Sequence, residues 1–267
     1  MPINFKFYEP LVKEFCAYAE SFDERSYPPF GLFVPYTFER YQDATHKLFY
    51  VGLDTAGWIS FSEMMADFKS GNIHDYLKKN SEVVTVQGEN KDGTDKHSLK
   101  ENWYYGRGFW QFCQKLQLYI STGKIYDSLY DLSPSDYSII EEIGYANTNS
   151  LETQQTLYRR GYWYDIENQY GYWKLKEFSS NLNSFANLLE AYSPDVIIVF
   201  NWGFSESILD GLITSVIEYI DDLLRIRRIR NNNTVIIETC HPSRMKYLGV
   251  SEEEMIHLIG DKVKSFF

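Results

Sequence analysis

The stretch from Lys47 to Trp58, KLFYVGLDTAGW, opens with four consecutive apolar or aromatic residues, Leu48, Phe49, Tyr50 and Val51, then meets a glycine and an acid. An unbroken apolar run is the pattern of a strand buried on both faces of a parallel sheet, whereas a strand with one wet face alternates. Gly52 frees the backbone, and 54–57 predicts a tight loop at the strand's carboxyl end, where open α/β sheets place their ligands. Two readings of Asp54 follow: a group for chemistry on that rim, or the N-cap of a helix starting near Trp58.

Further along, the pattern is helical over 5–22, where Phe7, Leu11, Val12, Phe15, Cys16 and Tyr18 recur at 3–4 residue spacing before Pro28 and Pro29. The same period predicts helices over 58–68, 104–120, 175–192, 205–224 and 251–265. The run DVIIVF at 195–200 and the segment 234–238 predict buried strands. Within 138–150 a short apolar run ends in Ala146, Asn147, Thr148 and Asn149, an extended segment delivering polar side chains to a rim. Two stretches fall outside the pattern. Residues 81–102 are polar and turn-rich, predicting a loop or hairpin. Residues 151–174 are crowded with Tyr, Trp and Arg, predicting an insertion across the sheet edge. Strands alternating with helices predict an α/β chain, a three-layer α/β/α sandwich with a short central parallel sheet. A single domain over 1–267 is expected, with insertions near 81–102 and 151–174.

Composition narrows the function classes. The 267 residues can bury a substantial core, no apolar run reaches bilayer length, and charges interrupt any signal core at the start. Cys16, Cys113 and Cys240 stand far apart, which fits a reducing, cytoplasmic compartment and predicts no metal, iron-sulfur cluster or other cofactor. A net charge of −11 repels a polyanion unless basic residues cluster locally. The basic run is Arg225, Arg227, Arg228 and Arg230, expected on a solvated turn or partner surface; Arg244 and Lys246 flank a different loop.

Three predicted strand ends carry polar loops: GLDTAG at 52–57, ANTNS at 146–150 and CHPSRM at 240–245. Parallel strands bring such loops to one rim, so Asp54 and His241 are expected to share a pocket. With these loops, and with VIIVFNWG at 196–203 and VIIETCHPSRM at 235–245, the chain resembles the uracil-DNA glycosylase superfamily over about half its length. The likeness is nearest to the classical uracil-DNA glycosylases, from which the chain diverges. It implies that Asp54 orients the attacking water and that His241, working as a neutral donor, steadies charge on the base oxygen. It further implies that Asn147 reads the pyrimidine edge, with Asn149 as its competitor, and that Gly52 and Ser243 belong to the base pocket. Met245 falls where that family pushes a leucine into the base stack. Trp58 and Phe61 are the candidates for stacking on the base, or else core residues at helical spacing. Arg244, Lys246, Arg159 and Arg160 are the candidates for DNA phosphates. Thr55, Ala56 and Gly57 stand where the family carries Pro-Tyr-His, so the tyrosine that screens against thymine is missing.

Two function classes follow. One is a DNA glycosylase that removes uracil or another damaged base by hydrolysing the N-glycosidic bond. The other is a non-catalytic relative binding a nucleotide, nucleic acid or protein partner through the same rim; Asp54 together with His241 favours the first, the acidic charge the second.

Overall fold

A computed structural model describes residues 3–54, 58–83, 109–129, 132–153, 157, 161, 170–204 and 206–267. Seven strands form one mixed sheet: β1 (Tyr36–Thr37), β2 (Leu48–Gly52), β3 (Ile143–Asn147), β4 (Val196–Val199), β5 (Thr214–Ile220), β6 (Leu224–Ile229) and β7 (Val235–Thr239). Their spatial order is β1-β3-β2-β4-β7-β6-β5. The central four, β3, β2, β4 and β7, are mutually parallel, whereas β1 at one side and β6 and β5 at the other run antiparallel to their neighbours. The sheet is therefore mixed and wider than the short parallel sheet expected from sequence.

All five residues of β2 are buried, and its side chains alternate between two faces, as a strand's must. On one face the Tyr50 hydroxyl donates to Gln117 Oε1 at 3.0 Å, on helix α4 (Phe109–Thr122), which packs against the last helix, α8 (Glu252–Lys264). On the other, Phe49 packs on Tyr192 with ring centroids 5.2 Å apart. Tyr192 ends helix α7 (Phe185–Tyr192), on the side of α1 (Phe5–Ala19), α2 (Phe61–Lys69), α3 (Ile73–Val83) and α6 (Tyr170–Phe178). Among the described residues the remaining helix, α5 (Pro134–Ile140), packs on α4 and leads into β3.

Three sequence expectations are corrected. Residues 205–224 are not a helix: after a 3-10 turn at Glu206–Leu209 they enter the β5–β6 hairpin. The segment TSVIEYI is rich in β-branched and aromatic residues, which a pleated surface favours, and Asp221 takes a left-handed φ of 41° to turn the chain. The basic run thus lies on β6 and its exit rather than on a helix-to-strand turn. The helix expected over 175–192 is two helices, α6 and α7, separated by a 3-10 turn at Ser179–Asn181. Ser184 starts the second by accepting from the Asn187 N–H, because short polar side chains compete for backbone hydrogen bonds and favour caps. Residues 170–174, expected in an insertion, begin α6, and 81–83 close α3; the remainder of 84–102 and most of 151–169 lie outside the described residues.

Gly144 is required where Phe49 lies across β3: a Cβ there would overlap the buried ring. Gly144→Ala should therefore lower stability by about 1–3 kcal/mol through overpacking. A denaturant midpoint unchanged from the parent would show that the ring has room to move.

Candidate active site

Parallel pairing in a common register brings the carboxyl ends of β2, β3, β4 and β7 to one edge, with Gly52 paired to Asn147. A Cβ on Gly52 would stand 2.7 Å from Asn147 Oδ1 and 3.0 Å from the Tyr145 hydroxyl, so glycine is what permits their approach. Asn147 is 0 % exposed. Its Oδ1 accepts from the Tyr145 hydroxyl at 2.7 Å, and its carbonyl accepts from Asn183 Nδ2 at 3.0 Å. The ring of Phe109, at the start of α4, lies 3.7 Å from the same Cβ position. It is edge-on to Phe200, beyond β4, at 5.3 Å and near-parallel to the His241 ring at 5.4 Å and 16°. Gly52, Asn147's partner Tyr145, and His241 thus meet around one aromatic ring.

His241 follows β7 and opens a 3-10 turn, Pro242–Leu248. Its Nδ1 accepts from the Ser243 backbone N–H at 3.2 Å and lies 2.8 Å from the Ser243 hydroxyl. An N–H donating to Nδ1 leaves the proton of the neutral ring on Nε2, which makes Nε2 the donor. Burial, and secondarily the Arg244 charge, push the His241 pKa below its usual value of 6.5. Both effects disfavour the imidazolium.

Asp54 is not a helix cap: Ser60 caps α2 by accepting from the Glu63 N–H. Instead Asp54 Oδ1 accepts from the Thr153 N–H at 3.3 Å and Oδ2 from the Thr153 hydroxyl at 2.8 Å. Its charge also reaches Lys176 of α6, whose Nζ donates to Asn149 Oδ1 at 2.9 Å and to the Leu151 carbonyl. Burial lowers the Lys176 pKa to about 8, against the opposing pull of Asp54 and Glu152.

The other predicted residues are placed as follows. Phe61 is a core residue, packed on Phe15 and Tyr27, and Trp58 packs edge-on to Phe33 at 4.9 Å while donating to Asn80. Neither contacts His241; among the described residues Phe109 is the aromatic packed on it. Met245 is only 3 % exposed, packed in the core, so it is no wedge as it stands. The exposed apolar side chains of its turn are Tyr247, at 72 %, and Leu248. Ser243, Arg244 and Lys246 are exposed beside His241, and Arg159 and Arg160 lie outside the described residues. In the basic run, Arg227 bonds buried Glu238 at 2.5 Å and Glu206 at 2.9 Å, and Arg225 reaches Glu238 at 3.4 Å. These two arginines are part-buried and paired on the sheet, where a solvated turn or partner surface was expected; Arg228 and Arg230 are exposed.

A cavity of about 430 Å³ opens at the same rim. The β2 and β3 exits supply Leu53, Thr148 and Asn149, helix α6 supplies Trp173 and Lys176, and the β4 exit supplies Asn201 and Phe204. Sequence reasoning missed Phe109, Tyr145 and Lys176. For Tyr145 a signal existed, since period-2 geometry puts it on the same face as Asn147.

Among the described residues no group of three His, Cys, Asp or Glu side chains is placed to hold a metal ion, and no helix is long and apolar enough to cross a membrane. Compared with known proteins, the chain matches no family model, no curated protein and no solved structure.

A depressed His241 pKa sets a direction for pH dependence. In the window below pH 6.5 the unfolded chain binds the proton first, so this histidine's contribution is intact above 6.5 and is lost as pH falls toward the folded pKa. Imidazole NMR should give a His241 midpoint below 6.5 and the Nε2–H tautomer; a raised midpoint, or an Nδ1–H tautomer, would remove the donor assignment.

Proposed function

We propose that this chain is an N-glycosyl hydrolase of uracil-DNA glycosylase type, releasing uracil or another altered base from DNA. The observation that carries the reading is the meeting of Gly52, Tyr145 and His241 around the ring of Phe109, with Asn147 bonded to the Tyr145 hydroxyl. Its support in the fold is a set of four parallel strands with helices on both faces, which we read as the three-layer sandwich of that superfamily. Breaking a glycosidic bond builds negative charge on the departing base and positive charge on the sugar. The neutral His241 Nε2–H meets the first need. Asp54, held by Thr153, supplies a carboxylate for the attacking water or the sugar. The Asn147 carboxamide offers donor and acceptor to a base edge, and Phe109 offers the stacking face. Without a tyrosine after Asp54, discrimination against a 5-methyl group is weak, so the substrate range extends beyond uracil. Exposed Arg244 and Lys246 supply the phosphate contacts.

One pair of observations favours the non-catalytic alternative: both Asp54 oxygens already accept from Thr153, and Asn147 is closed over by Tyr145. A cleavage assay on single- and double-stranded oligonucleotides carrying uracil or hypoxanthine decides between them. Base release is expected, with His241→Ala costing about 10²–10³-fold, the size of one lost charge-stabilising donor, and Asp54→Asn a comparable loss. Binding without release on every substrate would leave the non-catalytic reading.

For binding, the double variant Arg244→Ala/Lys246→Ala should flatten the log-log salt dependence on duplex DNA by about 0.9 for each phosphate no longer neutralised. Arg228→Ala/Arg230→Ala should leave that slope unchanged; the reverse pattern would put DNA on the hairpin face.

A further inference from the structure

The two edges of the sheet differ. At one end β1 is two residues long and buried. At the other stands β5, seven residues long, and among the described residues no strand pairs with its outer side. Its sequence, TSVIEYI, holds neither proline nor lysine, the residues that blunt an exposed edge. Ile213, Val216, Ile217 and Tyr219 are 46–57 % exposed. The single charge within the strand, Glu218, is bound by Lys262 of α8. An edge of this kind is a template for another strand.

We infer that β5 pairs antiparallel with β5 of a second copy of this chain, giving a two-fold symmetric dimer in which the two sheets join edge to edge. Charge and register both single out a second copy as the occupant. Asp221 and Asp222 sit at the tip of the β5–β6 hairpin, whereas exposed Arg228 pairs with Ser215 near its base and the Arg230 N–H donates to the Ile213 carbonyl. The edge thus runs from basic to acidic along its length. Antiparallel self-pairing lays each acidic tip against the other copy's basic base, while a strand of uniform charge would meet like charge at one end.

Across the hairpin Val216 stands opposite Arg227 and Tyr219 opposite Arg225, with the register shifted between Val216 and Glu218. Opposed residues share a face, and so do Arg225 and Arg227, two apart on β6. The shift therefore puts Val216 and Tyr219 on the same face, although residues three apart in an unbroken strand lie on opposite ones. Ser215 and Ile220, opposite Arg228 and Leu224, share the other face. A two-fold axis between Ile217 and Glu218 then sets Val216 against the second copy's Tyr219, and Ser215 against its Ile220, each pair matched in face. A β-branched residue against an aromatic is a favourable cross-strand pair, and the Trp202 ring, 6.0 Å from Tyr219, extends the apolar patch. The same register puts Asp222 opposite the second copy's Ile213, two strand spacings or about 10 Å from Arg230, a gap that the long arginine side chain narrows. Each copy has one such edge, so the pairing closes as a dimer and does not propagate.

Paired edges of seven residues bury little area, so the expected dimer is a weak one. Sedimentation equilibrium on the full chain from about 1 to 300 µM should show monomers passing to dimers, with a dissociation constant that rises with salt. Val216→Lys, at an exposed position, should weaken association at least about tenfold, and thermal melting establishes that this variant folds. Asp222→Arg and Arg230→Asp should each weaken it at least about threefold, because each sets like charges against one another, while the doubly substituted chain should recover the parent's affinity. That recovery separates antiparallel self-pairing from general stickiness of an apolar edge. A chain that stays monomeric at the highest concentration, assembles beyond the dimer, or dimerises unchanged with Val216→Lys would overturn the inference, as would a double variant that binds no tighter than the single ones.

Discussion

Double-sided burial of β2 is the constraint on which the rest depends. Its five residues are walled by helices on both faces and paired in parallel on both edges, with β3 and β4 in a fixed register. Because side chains alternate with period 2, a slip of one residue would exchange Phe49 and Tyr50 between the two helical layers. Gly144 is the complement of that register, leaving the place where the Phe49 ring lies. Once β2 is locked, the parallel strands must end together, and polar residues nearly 190 positions apart in the chain arrive on one rim.

That rim has two electrostatic characters on either side of β2's exit. Toward α4 stand Asn147, the Tyr145 hydroxyl, the ring of Phe109 and His241, whose pKa burial lowers. Toward α6 the groups are ionic, with Lys176 set among Asp54 and Glu152. Asp54 acts on both, since its charge is felt by Lys176 and by the Tyr145 hydroxyl.

An acidic protein also has to spend its few cations with care. Arg225 and Arg227 sit at 5.4 Å and 6.0 Å from the rings of Trp202 and Phe204, while both pair with buried Glu238. Burying a lone carboxylate is costly, and an arginine fork with well-placed partners offsets that cost. The pairing to Glu206 extends the network to the 3-10 turn after β4.

The sequence by itself determined the elements whose residues answer to one local rule. Unbroken apolar runs marked β2, β4 and β7, the pattern of strands buried on both faces, and a helical period over 251–265 marked α8. Polar loops at three strand ends marked Asp54, Asn147 and His241. Tertiary structure decided what local pattern leaves degenerate. The β5–β6 hairpin carries apolar residues that also fit a helical spacing, and pairing of β6 with β7 settles the choice. Aromatics at helical spacing look alike in sequence, yet packing sends Phe61 into the core and sets Phe109 against His241. Arginines in a row look solvated until a buried carboxylate on the neighbouring strand claims two of them. In each case the deciding partner lies on another element, and no window of local sequence contains it.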